Sequence, residues 1–238
     1  MMLHPGGELV SDVIARTGVW EPFESVVLGQ LLRPGDCVFD VGANIGYYSN
    51  LARQRVGGEG KVHAFEPDAE NFILVEANAP PGVSCYRAAL SDSSGNGFLS
   101  RDSLNKGDLY VCGSSGEPTE LLQGDDLGVA HVHFLKIDTQ GSEVRVLQGL
   151  KDTIARSRHD LSMLVEFWPY GLERVGDGAR ALLDVLLALA LPVYLVDSEA
   201  DRLRNLTVNA FENLAMERLT VAHRGFVNLL LSNRSVEI

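Results

Sequence analysis

The sequence predicts an α/β protein built on a doubly wound, mostly parallel β-sheet. Short apolar segments alternate with helical ones in the order β-α-β-α-β, then β-α-β-α-β-β. A glycine-containing turn joins the first strand to a helix, and acidic residues follow several later strands. The 238 residues are 45% hydrophobic and 22% charged, which is enough chain for one sizeable core. The last two strands have no clear crossover helix between them, which allows an antiparallel final strand.

Two short helices precede the sheet, over residues 8–32. Pro22 begins the second, whose apolar residues recur at helical spacing. Such helices either form a lid over a ligand or cover an open edge of the core, and the sequence favours neither. We therefore divide the chain into an N-terminal helical extension, 1–34, and a main domain, 35–238.

The first strand and the turn after it make a candidate ligand cradle. Residues 37–48 read CVFDVGANIGYY, so that Gly42 and Gly46 follow a strand and precede a helix. Backbone N–H groups at a helix start point outward, and glycine lets a ligand approach the chain. The third glycine of a dinucleotide fingerprint is missing, and Asp40 would repel a phosphate. The pattern favours a nucleoside cofactor that carries positive charge.

The next two strands carry candidates for contacts to a nucleoside. Lys61–Phe65 is predicted as a strand that ends at Glu66. Glu66 lies about 20 residues beyond Gly46, where a βαβ unit places an acid on ribose hydroxyls. The third strand, over 83–90, ends before Ser91 and Asp92, and its carboxyl end borders the base in folds of this kind. Ser91 and Asp92 are therefore candidate base contacts.

A segment rich in Gly, Ser and Asp, over 93–127, separates the third strand from the fourth. Strand-like pieces at 97–100 and 109–112 predict a hairpin with long loops. Loops at the carboxyl edge of a parallel sheet often carry specificity, and the alternative is a surface insertion without a role.

The fourth and fifth strands, over 132–137 and 161–167, supply candidates for the reacting end of the site. Asp138 ends the fourth strand, and Lys136 shares a strand face with it because side chains alternate. A lysine in a central strand needs a partner. Glu166 lies near the end of the fifth strand, before two aromatic residues, which favours a substrate-pocket wall. Asp138 has a simpler interpretation as a helix cap.

Charge and cysteine usage exclude several classes of partner. The formal charge of −12 disfavours nucleic acid and anionic membrane surfaces. The three cysteines are scattered without a CxxC or Cys/His cluster, which predicts neither zinc nor disulfides and fits the cytoplasm. The N-terminus lacks the features of a signal peptide, and no apolar run is long enough to span a membrane. Oligomeric state is open.

Five sequence blocks, in order over most of 35–170, together resemble the FkbM family of S-adenosylmethionine-dependent methyltransferases. They read FDVGANIGYYS, VHAFEPD, AALSD, FLKIDTQGSEVRVLQG and LVEFWP. The resemblance implies a Rossmann-like class I methyltransferase fold with a seven-stranded sheet. It also implies S-adenosylmethionine as cofactor, with its methionine part along the first turn, its ribose on Glu66, its adenine at the third strand and its methyl near Asp138. The implied contacts are Asp40, Gly42, Asn44, Gly46, Glu66, Ser91, Asp92 and Asp138. Many members carry Glu where this chain has Gln140, so that position receives no acid role.

The resemblance implies transfer of a methyl group to a hydroxyl of a sugar or secondary metabolite. The partner would be a small-molecule or glycan hydroxyl acceptor. A nicotinamide-dependent oxidoreductase and a non-catalytic methyltransferase-like binding protein are the alternatives. Such a hydroxyl must lose its proton, and no histidine falls at a strand's carboxyl edge. The predicted base is a carboxylate, Asp138 or Glu166, tuned by Lys136. A divalent metal is less favoured, because no pair of ligands follows the fourth strand.

Overall fold

A computed structural model describes residues 1–101, 109–112, 115–215, 219 and 221–235. The helices are α1 (Leu9–Thr17), α2 (Pro22–Leu31), α3 (Tyr47–Val56), α4 (Ala69–Asn78), α5 (Glu143–Gly149), α6 (Lys151–Ser157), α7 (Pro169–Val175), α8 (Ala179–Ala188) and α9 (Val208–Asn213). The strands are β1 (Cys37–Val41), β2 (Lys61–Phe65), β3 (Val83–Tyr86), β4 (Ala88–Ser91), β5 (Gly95–Arg101), β6 (Leu109–Cys112), β7 (Glu117–Gln123), β8 (Phe134–Ile137), β9 (Ser162–Phe167), β10 (Val193–Asp197), β11 (Arg202–Leu206) and β12 (Val227–Ser232).

An eight-stranded sheet in the order β11-β10-β12-β9-β8-β1-β2-β3 forms the centre. The five strands from β9 to β3 are parallel to their neighbours, whereas β12 runs antiparallel to both β9 and β10. The doubly wound, mostly parallel sheet and its antiparallel last strand are thus confirmed. The strand order reverses at the β1–β8 pair, which places a ligand crevice at the carboxyl ends of these two strands.

The sheet has one strand more than the seven expected. The additional strand, β11, pairs antiparallel with β10 alone and lies at the edge. Its sequence, RLRNL, carries little of the apolar alternation by which a strand is recognised. An edge strand exposes much of its surface and can be polar, so the sequence suggested irregular structure here.

The predicted third strand, over 83–90, is in fact two strands. β3 pairs with β2, but after Arg87 the chain leaves the central sheet, and β4 pairs in parallel with β7. These strands belong to a second sheet in the order β4-β7-β5-β6. The antiparallel pairing of β5 with β6 confirms the predicted hairpin. β7 was missed, since its sequence, EPTELLQ, contains a proline and three acidic or amide residues.

Two features of the helices after β8 were not foreseen from the sequence. α5 and α6 are separate helices that meet at Leu150. The residue that ends α5, Gly149, packs so closely on β4 that a Cβ there would lie 1.8 Å from the carbonyl oxygen of Ser91. α7 was not predicted and begins with Pro169 at its first turn. Within the described ranges, no helix is both long and apolar enough to cross a membrane.

Alternating residues of the parallel strands face two helical layers. Val38 of β1 packs with buried residues of α2 and α3, whereas Phe39 packs with those of α5 and α8. Phe134 of β8 and Leu164 of β9 pack on the same side of the sheet as Val38, against α2 and α3. Because the side-chain period of a strand is two, even-numbered residues of these three strands share the α2–α3 side of the sheet.

Polar contacts tie both described ends of the chain to the rest of the domain. Near the N-terminus, the Asn78 side chain at the end of α4 donates to the carbonyls of Met2 and Ile45 at 2.9 and 2.8 Å. Near the C-terminus, the buried Arg234 guanidinium donates to both oxygens of Asp36 and both of Asp160. Arg234 thus joins the last described turn to the start of β1.

Candidate active site

A cavity of about 330 Å³ opens at the carboxyl ends of the parallel strands. Its walls come from the turn after β1, the end of β2, strand β4, the loop after β8 and the N-terminal segment around α1 and α2. Aromatic side chains contribute much of the apolar surface, and they are Trp20, Tyr47, Tyr48, Phe65, Trp168 and Phe226. The cavity lies where the reversal of strand order predicts a ligand site.

In the turn after β1, every second residue has a left-handed backbone conformation. These residues are Gly42, Asn44 and Gly46, with φ of 80°, 52° and 81°. Gly42 is also closely packed, because a Cβ there would lie 1.9 Å from the carbonyl oxygen of Asp138. This contact holds the turn after β1 directly against the loop after β8. Both conditions require glycine at position 42.

Four backbone N–H groups of this turn are bonded within the protein. Gly42 and Ala43 both donate to the carbonyl of Phe65 at 3.0 Å, and Gly46 donates to the carbonyl of Ala43 at 2.8 Å. The N–H of Asn44 donates to the carboxylate of Glu66 at 2.8 Å. A cradle for a ligand at the start of α3, where no side chain caps the helix, stays a prediction.

Glu66 lies on the cavity wall at the end of β2, where the sequence predicts a ribose contact. Besides the N–H of Asn44, its carboxylate accepts the N–H of Asp68 at 2.9 Å. Burial raises the pKa of Glu66 to about 8, although both N–H donors oppose that shift. Each carboxylate oxygen keeps a lone pair for a further donor. The side-chain oxygen of Asn44 is buried without a hydrogen-bond partner in the described part of the chain.

Asp40 lies behind the cavity wall and not on its lining. One of its oxygens accepts the Ser49 hydroxyl at 2.6 Å, and Lys136 is its register partner in β8. Burial raises the pKa of Asp40, while the charge of Lys136 lowers it. The structure therefore places Asp40 as a buried counter-charge beneath the reacting end of the cavity.

A connected polar network lies on the cavity wall and consists of Lys136, Asp138, Gln140 and Glu166. The Lys136 ammonium bonds Asp138 Oδ2 at 3.0 Å, which confirms that the lysine of the central strand is paired. The Gln140 amide donates to Asp138 Oδ1 at 2.9 Å and to Glu166 Oε2 at 3.2 Å. Burial alone would lower the pKa of Lys136, but the charges of Asp138, Asp40 and Glu21 raise it. The ammonium therefore stays charged.

Glu166 differs from Asp138 in its surroundings. It is buried in β9, and this burial, followed by the charges of Asp138 and Glu143, raises its pKa well above the usual range. Asp138 is ion-paired with Lys136, whereas Glu166 lies near the like charges of Asp138 and Glu143. Two carboxyl groups in different surroundings suit different roles in one reaction.

Two residues that shape the loop after β8 were underestimated from the sequence. Glu143 is fully buried, and its carboxylate accepts three hydrogen bonds. Thr139 donates both its backbone N–H and its hydroxyl at 3.0 Å, and Gly141 donates its backbone N–H at 3.1 Å. Gln140 has a φ of 57°, a strained conformation for a residue with a side chain. The signal was the GSE motif: a carboxylate two residues after a glycine can cap such a loop.

Ser91 and Asp92 lie outside the cavity lining, to which strand β4 contributes Ala88, Ala89 and Leu90. The Ser91 hydroxyl donates to Asp92 at 3.2 Å. Their position follows from the turn of the chain after Arg87, which directs the end of β4 towards α5. Contact of either residue with a base stays a prediction.

The N-terminal segment supplies cavity residues that sequence reasoning missed. Glu8, Leu9 and Val10 line the cavity at the start of α1, and Trp20 and Glu21 line it before α2. Their contribution depends on how α1 folds over the turn after β1, which no local pattern reveals. Among the described residues, no group of three or more His, Cys, Asp or Glu side chains is arranged to hold a metal ion.

Comparison with known proteins gives matches in sequence and in fold. The model of the FkbM methyltransferase domain matches residues 120–190, which include the Lys136–Glu166 network. The 31-O-demethyl-FK506 methyltransferase FkbM of Streptomyces tacrolimicus is 32% identical over 164 residues, covering 52% of this chain and 63% of the relative. The chain thus spans less than two thirds of that relative's length.

The chain also matches solved structures at low sequence identity. A precorrin-6y C5,15-methyltransferase from Geobacter metallireducens superposes with a TM-score of 0.51 at 10% identity, covering 99% of this chain and 94% of that one. An FkbM methyltransferase from Methylobacillus flagellatus has a TM-score of 0.48 at 16% identity over 83% of this chain and 43% of its own. The first of these likenesses supports a class I methyltransferase fold. In sequence, the chain is similar to the FkbM methyltransferase domain over residues 120–190 and to the Streptomyces methyltransferase over about half of its own length.

Proposed function

We propose that this protein is an S-adenosylmethionine-dependent O-methyltransferase that acts on a hydroxyl of a sugar or secondary metabolite. The observation that carries the proposal is the network at the end of the cavity, where Lys136 and Gln140 meet two carboxyl groups in different surroundings. An excess of acid favours a cationic group, and an ionised carboxylate can take a proton from a hydroxyl. The name of the Streptomyces relative, a methyltransferase of 31-O-demethyl-FK506, supports an oxygen acceptor.

The residues of the cavity fit this cofactor better than a dinucleotide. Glu66 offers acceptor lone pairs to the two ribose hydroxyls, and the unpartnered oxygen of Asn44 offers another acceptor nearby. Gly42, Ala43 and Gly46 already donate their N–H groups within the protein, so these three are not offered to a pyrophosphate. Within this proposal Gly42, Asn44, Glu66 and Asp138 contact the cofactor from the cavity lining, and Asp40, Gly46, Ser91 and Asp92 support the site from behind it. Asp40 acts through Lys136, and Ser91 and Asp92 border the adenine from beyond Leu90.

The cofactor supplies an electrophilic methyl group when it is bound. The protein's main task is then to align the acceptor oxygen and exclude water, and such positioning can supply roughly 7–11 kcal/mol of the barrier. We assign the base to Asp138, which is ion-paired with Lys136 and takes the hydroxyl proton of the acceptor. Glu166 accepts a hydrogen bond from the Gln140 amide and holds it in place.

Two further features belong to the proposal. We infer that residues 1–34 act as a lid, because Glu8, Leu9 and Val10 line the cavity while α2 packs on α3. We infer a reducing compartment, the cytoplasm, because Cys37, Cys85 and Cys112 are free.

Calorimetry with S-adenosylhomocysteine and NAD tests the cofactor. We expect S-adenosylhomocysteine to bind and NAD to show no heat of binding. Acceptors are then sought by incubation with S-adenosylmethionine and a panel of methyl glycosides and 31-O-demethyl-FK506, with mass spectrometry and NMR to locate the new methyl group on oxygen. Binding of NAD without S-adenosylhomocysteine would refute the proposal.

The raised pKa of Glu66 predicts that nucleoside binding strengthens with pH. A protonated Glu66 loses one acceptor, so ribose hydroxyls bind best to the ionised form, which predominates above about pH 8. Methylthioadenosine is a suitable probe because it has the ribose and adenine but no group that titrates between pH 6 and 9. Its affinity, measured by calorimetry, should rise from pH 6 to 9 and then level off.

The isosteric variant Glu66→Gln provides the control for this effect. It should bind methylthioadenosine more weakly than the wild type at pH 9 and show no dependence on pH. A wild-type affinity that is constant or falls over this range would contradict the assignment of Glu66 to the ribose.

A further inference from the structure

We propose that Glu21, delivered by the N-terminal lid, is a further catalytic residue: its carboxylate faces the transferred methyl group from the acceptor's side. The inference rests on the proposed function and names a residue that the sequence blocks of the family do not include. It follows from the position of Glu21 between two cavities, its hydrogen bonds and its backbone conformation.

Glu21 lies where two cavities share a wall. The second cavity, of about 550 Å³, lies between the start of α2, the end of β10 and the start of β12, and we call it the outer cavity. We call the first cavity, at the carboxyl ends of the parallel strands, the cofactor cavity. The two linings share Trp20, Glu21 and Phe226. Of these three, only Glu21 carries an ionisable group. A molecule in the outer cavity and a cofactor in the inner one would both reach this carboxylate.

Hydrogen bonds connect Glu21 to the network of Lys136. The Tyr48 hydroxyl donates to Glu21 Oε2 at 2.7 Å, and the Lys136 ammonium lies over the Tyr48 ring, 4.9 Å from its centroid. Asn228, the register partner of Glu166 in β12, donates to Glu21 Oε1 at 3.4 Å. Glu21 is thus held towards the same side of the sheet as Lys136, Asp138 and Glu166.

The electrostatic surroundings agree with this placement. Burial raises the pKa of Glu21, the charge of Lys136 lowers it, and that of Asp138 raises it again. The charge of Glu21 in turn raises the pKa values of Lys136 and Glu166. The four groups therefore lie within mutual electrostatic reach at one end of the cofactor cavity.

The backbone of Glu21 is strained. Its φ of 42° and ψ of 72° lie in the left-handed region, although it is followed by Pro22 at the start of α2. Its side chain makes no capping hydrogen bond to α2 and is directed to Tyr48 and Asn228 instead. Strain at a residue without a capping role is typical of a side chain that is positioned for function.

Sinefungin tests this placement without knowledge of the acceptor. In this analogue a carbon that bears an ammonium group replaces the methylated sulfonium, so its charge occupies the position of the transferred methyl. S-adenosylhomocysteine has no group there. We expect Glu21→Gln to lower the affinity for sinefungin about tenfold, as measured by calorimetry. The affinity for S-adenosylhomocysteine should change less than about twofold.

Glu70→Gln is the matched control, because it removes an acidic charge from the exposed first turn of α4. It should leave both affinities unchanged. Tyr48→Phe keeps the ring beside Lys136 but removes the donor to Glu21, and it should weaken sinefungin by a smaller factor; it also provides the test if Glu21→Gln does not fold. An unchanged ratio of the two affinities in both variants would overturn the role of Glu21. If wild-type protein does not bind S-adenosylhomocysteine, the proposed function itself fails.

Discussion

Replacing Gly42 with alanine is expected to lower the affinity for S-adenosylhomocysteine by about 100-fold or more. The added Cβ would lie 1.9 Å from the carbonyl oxygen of Asp138, a backbone atom that moves only if the loop after β8 moves. The φ of 80° adds a cost of roughly 1–2 kcal/mol for any residue with a side chain. Both loops line the cavity, so their separation disrupts the cofactor site and displaces the proposed base. Calorimetry measures the loss of affinity, and circular dichroism shows whether the fold persists.

Gly35→Ala separates the two causes. Gly35 has a similar φ of 88°, but a Cβ there meets nothing within 4 Å. It should therefore lose stability from backbone strain while it keeps its affinity for S-adenosylhomocysteine. If Gly42→Ala binds as well as Gly35→Ala does, the close packing of the two loops has no part in cofactor binding.

Replacing Asp138 with asparagine is expected to lower turnover by about 10²- to 10⁴-fold, the usual contribution of a general base. Asparagine keeps the shape of the side chain but cannot take the hydroxyl proton of the acceptor. It also leaves Lys136 without its nearest partner at 3.0 Å, so the positive charge at this end of the cavity is less balanced. The affinity for S-adenosylmethionine, a cation, should fall more than that for neutral S-adenosylhomocysteine.

Asp184→Asn is the matched control for this variant. Asp184 pairs with Arg180 on the exposed side of α8, so the same chemical change there should leave turnover and both affinities unaltered. Turnover is followed as release of S-adenosylhomocysteine with an acceptor from the panel. Wild-type turnover in Asp138→Asn would remove this residue from the catalytic machinery and leave Glu166 or Glu21 as the base.

The short-range patterns of the sequence determined most of the central architecture. Apolar strands at fixed spacing, a glycine turn and strand-end acids predicted the parallel sheet and placed Glu66, Lys136, Asp138 and Glu166 at one edge. These features are local, because a strand's period of two fixes which side chains share a face and parallel strands end together. Gly42 could likewise be predicted as a glycine that the turn requires.

Tertiary structure alone decided which groups meet at that edge. The break of the third strand at Arg87, the strained turn at Glu21 and the amide bridge of Gln140 depend on contacts between segments far apart in the chain. Only the tertiary structure shows that Asp40 lies behind the cavity wall and that Glu21 lies on the cavity lining. Both positions depend on burial and strand register, which bring together residues that are far apart in the sequence. The sequence by itself determined which carboxylates lie at one sheet edge; the packing of the N-terminal helices decided how that edge is closed.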